Sequence, residues 1–153
     1  MRKDYLKKEQ TCALLAYPDF IPDIVYYDLY RAAESFIRGT YSPCFLIGGN
    51  ANFDKGCVKV IRKLRAAHIV RTIRLVQIVP PRSSHKDYLC DDVIVCSDAF
   101  GSSGKRVNRI IKQYMIDQSS GVLTYFGDAP LENLKLSPGQ WGANLGNGHV
   151  NER

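Results

Sequence analysis

Short apolar runs alternate along this chain with stretches whose apolar residues recur every three to four positions. That alternation restricts the fold more than any other feature. Residues 11–17, 44–47, 73–79, 92–96 and 121–126 are apolar runs of strand length, each bounded by turn-forming residues. The first, from Thr11 to Tyr17, is apolar almost throughout, as expected of a strand covered on both faces of a parallel sheet. Between the runs, Val25, Leu29, Ala32 and Phe36 fall at helical spacing after Pro22-Asp23. Val58, Ile61 and Leu64 do the same in the second interval. In residues 105–117 the stripe is Val107, Ile110, Ile111 and Tyr114, with Lys105, Arg106, Arg109 and Lys112 on the rest of the helix. The pattern predicts an α/β fold: one three-layer domain, a mostly parallel sheet of about five strands, and helices on both faces. In such sheets ligands bind beyond the carboxyl ends of the strands.

The second strand runs into Gly48-Gly49-Asn50-Ala51-Asn52-Phe53-Asp54, expected as a loop, and a helical pattern follows. A strand, glycine turn and helix in succession leave backbone N–H groups unpaired at the helix start, where they can meet an anion. Gly48, Gly49, Asn50, Ala51, Asn52 and Asp54 are therefore the first candidates for a ligand site. The bland alternative is a tight turn with no ligand. Arg82, in the loop after the third strand, would add positive charge at the same end of the sheet. Gly101-Ser102-Ser103-Gly104 is a turn and not a phosphate-binding loop, because the following Lys-Ser/Thr pair is missing.

With 153 residues, 45% hydrophobic and 24% charged, the chain has the size and balance of one globular domain. Its formal charge of +6 suits an anionic partner. Between residues 55 and 86 there are nine Lys or Arg and no Asp or Glu. This stretch is either a solvated helix face or an electrostatic funnel for phosphates. It contains no Phe, Tyr or Trp, which argues against a single-stranded nucleic-acid groove, where bases need aromatic platforms. Tyr26, Tyr27, Tyr30 and Tyr41 read as tyrosines packed around a helix.

Five cysteines without C-x-x-C spacing indicate buried free thiols in a reducing compartment, and His68, His85 and His149 match no metal-ligand spacing. No metal or cofactor is expected. The charged start and the absence of a long apolar run point to a soluble cytoplasmic protein with no membrane contact. Residues 1–10 read as a charged lead and 11–130 as the domain. Residues 131–153, rich in Gly and Asn, read as a flexible tail in which Trp141 docks on the body or on a partner.

Three pieces, in order, resemble one family. The Gly48–Asp54 segment resembles the G-G-x-x-G-F-D loop of the SLOG superfamily, in particular its YpsA-like branch. Residues 73–80 resemble that branch's third strand, which ends in proline. Gln113-Tyr114-Met115-Ile116-Asp117-Gln118-Ser119-Ser120 resembles its late helix with the M-V-D-x-S/T ending. The likeness spans residues 44–126. It implies a Rossmann-like domain that binds a nucleotide or nucleotide-derived molecule at the glycine loop, with Asp117 and Ser119 bordering the same crevice, and members that self-associate. Relatives include phosphoribohydrolases, a DNA-uptake protein and ligand-sensing domains of bacterial defence systems.

The departures bear on mechanism. Ala16-Tyr17-Pro18-Asp19 stands where the branch has T-G-H-R, and Asn52 replaces the third glycine. Ile111-Lys112 stands where the branch has Arg-Asn. The phosphoribohydrolases use a P-G-G-x-G-T-x-x-E segment whose glutamate assists bond cleavage, and Phe126-Gly127-Asp128-Ala129-Pro130-Leu131 has no such acid. The expected function is non-catalytic sensing or sequestering of a nucleotide-derived ligand. The alternative is a nucleotide-processing hydrolase using Asp54, Asp117 or Asp19 as acid or base.

Overall fold

The computed structural model describes residues 6–81, 90–102, 104–127, 136, 138–146 and 149–151. Its centre is the strand β1 (Thr11–Ala16), all six residues of which are buried. β1 pairs in parallel with β2 (Cys44–Ile47) on one side and with β5 (Gly121–Tyr125) on the other. β3 (Arg74–Val79) and β4 (Asp92–Val95) extend the sheet past β2. Past β5 come β6 (Trp141–Asn144), also parallel, and the antiparallel β7 (His149–Asn151). The order β4-β3-β2-β1-β5-β6-β7 makes one sheet of seven strands.

The helices α1 (Asp23–Arg38) and α2 (Ala51–Ala67) cover one face. There Val25, Leu29, Ala33 and Ile37 of α1 and Phe53, Cys57, Ile61 and Leu64 of α2 meet Cys12, Leu14 and Phe45 of the sheet. The other face is covered by α3 (Lys105–Asp117), whose Ile111, Tyr114, Met115 and Ile116 meet Ala13, Leu15, Leu46 and Val76. Alternate residues of β1 thus enter opposite cores, as the period-2 geometry of a strand requires. The result is a Rossmann-like three-layer domain with helices on both faces.

The strand and helix boundaries follow the sequence pattern closely, with two corrections. α2 begins at Ala51, inside the segment expected as a loop, because the side chain of Asn50 accepts the Phe53 N–H at 3.1 Å and caps the helix. The presumed flexible tail over residues 131–153 supplies β6 and β7. β6 is held by its ladder to β5 and by the Leu145 N–H bond to the Thr124 carbonyl. Trp141 lies with its ring centroid 6.0 Å from that of Phe36 and occupies the space beside Gly121. A Cβ on Gly121 would meet that ring at 1.9 Å, so the glycine admits the indole. The Gly146 N–H also bonds to Asp28 of α1 at 2.9 Å.

Among the described residues no helix is long and apolar enough to cross a membrane. No disulfide joins the cysteines: Cys12, Cys44, Cys57 and Cys96 are buried and Cys90 partly so. Burial pushes the Cys44 thiol up to about 12 and the Cys12 and Cys57 thiols up as well, which makes them inert packing groups.

Because Trp141 anchors the added strand, Trp141→Ala should lower unfolding free energy by about 2–3 kcal/mol, less than a fully buried Trp because the ring is half-buried. Urea denaturation would measure it, and a flexible tail would predict no change.

Candidate functional site

Ligands of open parallel sheets bind at the carboxyl edge where neighbouring strands send their connections to opposite faces. Here the strand order reverses between β1, which feeds α1 on one face, and β5, which is reached through α3 on the other. The glycine turn after β2 opens at the same edge. Tyr17, just beyond β1, stacks on Phe126, just beyond β5, with ring centroids 5.2 Å apart and planes 15° from parallel. The Tyr17 N–H bonds to the Tyr125 carbonyl at 3.0 Å.

Each residue of the turn has an identifiable structural task. A Cβ on Gly48 would lie 2.6 Å from the Ile78 carbonyl oxygen and 3.3 Å from Ile111, so the chain passes too close to β3 and α3 for any side chain. Gly49 has φ +81°, a left-handed conformation that favours glycine. The Asn50 amide donates to the carbonyls of Ala16 and Pro18 at 3.1 and 2.9 Å, tying the turn to the end of β1. Asn52 donates to the Asp19 carbonyl at 3.0 Å. Ala51 and Asn52, the first helical residues of α2, are exposed.

Beneath the turn lies a pair of charged residues. Asp54 is 3% exposed, and its Oδ1 has no hydrogen-bond partner. Burial raises its carboxyl from the ordinary 3.8 to about 7, while hydrogen bonds from the Asn50 and Gly48 backbone and the charge of Lys112 pull the other way. The inner amides of the glycine turn therefore face a carboxylate the protein itself supplies. Lys112 of α3 is 7% exposed, donates to the Gly49 carbonyl at 3.2 Å and stands 5.0 Å above the Tyr17 ring. Its own burial lowers its pKa, and Asp54 opposes that shift. A buried acid and base with shifts of this kind are a common mark of a functional site, although structural ion pairs produce them too.

The structure brings Gly48, Gly49, Asn50, Ala51, Asn52 and Asp54 together and separates Asp117 and Ser119 from them. α3 runs against the strands, so its last residues reach the amino edge of the sheet, where the Ser120 N–H bonds to the Thr11 carbonyl at 2.9 Å. Ser119 is buried and donates to the Met115 carbonyl, and Gln140 donates to the carbonyls of Ile116 and Ser119. Those residues close a helix terminus. Asp117 is exposed and accepts from Gln113 at 3.0 Å. Arg82 lies outside the described residues.

Lys112 was expected on the exposed side of α3, and that assignment is corrected. It precedes the buried Met115 and Ile116 by three and four positions, which places it on the same face. That spacing is the sequence signal for it. Among the described residues no three His, Cys, Asp or Glu are grouped as a metal site. No protein-family model matches the chain, and no curated protein matches its sequence.

Two outcomes are expected. Asp54 binds a proton more tightly folded than unfolded, so wild-type stability should fall as pH rises from about 4 to about 7 and level off above. Asp54→Asn should lack that slope, as thermal melts across this range would reveal. Gly48→Ala should cost about 1–3 kcal/mol through overpacking against the Ile78 carbonyl, with or without ligand.

Proposed function

We propose that the protein binds a nucleotide or nucleotide-derived anion at the carboxyl edge of the sheet, without transforming it. The observation that carries this reading is the exposed first turn of α2, at Ala51 and Asn52, at the edge of the sheet where β1 and β5 end. Amides in a first helical turn have no intrahelical acceptor and aim positive partial charge outward. A phosphate there would meet them without disturbing Asp54, which engages the inward side of the turn. Lys112 adds a cation at the turn, and the exposed Lys105, Arg106 and Arg109 in the first turns of α3 enlarge the positive field.

One observation favours a second reading, a hydrolase acting on a nucleotide's glycosidic or phosphate bond. Asp54 titrates near neutrality, where a carboxyl can serve as general acid or base. Against this, its position under the Gly48-Gly49 turn gives it a structural task, and of the two other acids considered Asp117 stands at the opposite edge while Asp19 is exposed and meets the turn through its backbone carbonyl. Product formation from nucleotides that disappears in Asp54→Asn would favour the enzyme.

The binding reading is tested by Ala51→Asp. A carboxylate in the first turn of a helix is tolerated or stabilising, so the fold should persist. The same carboxylate would repel a phosphate, so calorimetry against a panel of nucleotides, cyclic nucleotides and ADP-ribose derivatives should show affinity reduced by about tenfold or more. If no member of the panel binds wild type more tightly than millimolar, or Ala51→Asp binds equally well, the proposal fails.

A further inference from the structure

The helix α1 has a second side besides the one it packs on the sheet. Asp23, Ile24, Tyr27, Arg31, Ser35 and Arg38 are its exposed residues, and at about 100° per residue they fall within about 120° of arc. They form one stripe. Ile24 is 51% exposed, and Tyr27 is 62% exposed where a tyrosine packed around the helix was expected. Phe20, three residues ahead of α1, is 77% exposed. Val25, Leu29, Ala33 and Ile37 already fill the side that faces the sheet, so the core gives no account of these bare apolar groups.

The charges on the stripe are ordered. Asp23 stands in the first turn and Arg31 eight residues later, about 12 Å along the axis, which is too far for the two to pair within one chain. Among the described residues neither has an ion-pair partner. Tyr27, whose ring centroid lies 6.0 Å from the Arg31 guanidinium, sits midway between them in sequence.

We propose that this face is an interface with a second copy of the chain, in which the two α1 helices lie antiparallel across a two-fold axis beside Tyr27. That arrangement sets position 23 of each copy opposite position 31 of the other. Asp23 then meets the partner's Arg31, Arg31 meets the partner's Asp23, and the Ile24 and Tyr27 side chains of both copies cover one another between the charges. One rotation satisfies both pairs. Charge complementarity selects this occupant. A parallel arrangement would set aspartate against aspartate, and a nucleic acid, an anionic lipid surface or an acidic peptide would each meet Asp23 with like charge. Two turns of helix make a small contact, of the size found in weak and reversible association.

Sedimentation of the full chain over a concentration series tests the proposal. Wild type should pass reversibly from monomer to dimer with a Kd of about 10–500 μM. Asp23→Arg leaves arginine at both facing positions and Arg31→Asp leaves aspartate at both, so each variant alone should associate at least about tenfold more weakly. Mixed in equal amounts, the two should form a heterodimer of wild-type strength, because every facing pair is again opposite in sign. Loss of structure in either variant could not produce that recovery. If Asp23→Arg melts below wild type, Ile24→Arg, at an exposed position of the same stripe, should weaken the dimer by a similar factor. A wild-type chain that stays monomeric up to about 1 mM would overturn the proposal. So would single variants that associate as wild type does, a mixture that associates no better than its components, or an Ile24→Arg dimer of undiminished strength.

Discussion

A carboxylate with almost no exposure, placed under a glycine turn and beside a buried lysine, is the feature on which the carboxyl edge depends. Removing a charge from water is costly, and only nearby opposite charge and hydrogen bonds offset that cost. Asp54 receives both, from Lys112 and from the backbone of Gly48 and Asn50, and burial still wins, as its raised pKa reports. The turn must wrap closely to supply those contacts. The turn also passes close to β3 and α3, which excludes a side chain at Gly48, and Gly49 takes a left-handed conformation.

The same closeness alters how an anion can use the turn. A glycine loop at a helix start is often described as a cradle for phosphate. Here the inner amides turn toward a resident carboxylate, and Asn50 spends its side-chain amide on the Ala16 and Pro18 carbonyls. The outward part of the first helical turn, at Ala51 and Asn52, is what an external anion would meet. Tyr17 and Phe126 stack on each other just beyond the ends of β1 and β5.

A parallel sheet gives a protein two chemically distinct edges, because every strand points the same way and every helix returns antiparallel to it. At the carboxyl edge lie the starts of α1, α2 and α3, where partial charge is positive. At the amino edge their ends present carbonyls, and Arg71 and Gln140 satisfy several of these at α1 and α3.

Read alone, the sequence determined the layers of this protein. Burial on one or both faces writes itself as period 2, period 3.6 or an unbroken apolar run, so β1 to β5 and all three helices were legible from local pattern. So was the glycine turn, since Gly49 acts through its own backbone, whereas the start of α2 was not, because the Asn50 cap makes helix of residues that read as loop. What only the tertiary structure decided was everything that depends on residues distant in the chain. β6 is four residues long with two small ones, and nothing local marks Trp-Gly-Ala-Asn as a strand until β5 offers it a ladder. Asp117 and Ser119 resembled site residues in order along the chain, but a helix that runs back across the sheet delivers its two ends to opposite edges. The same helix carried Lys112 to the underside of the turn, because whether a lysine on a helix meets water or a backbone carbonyl is fixed by what packs against it.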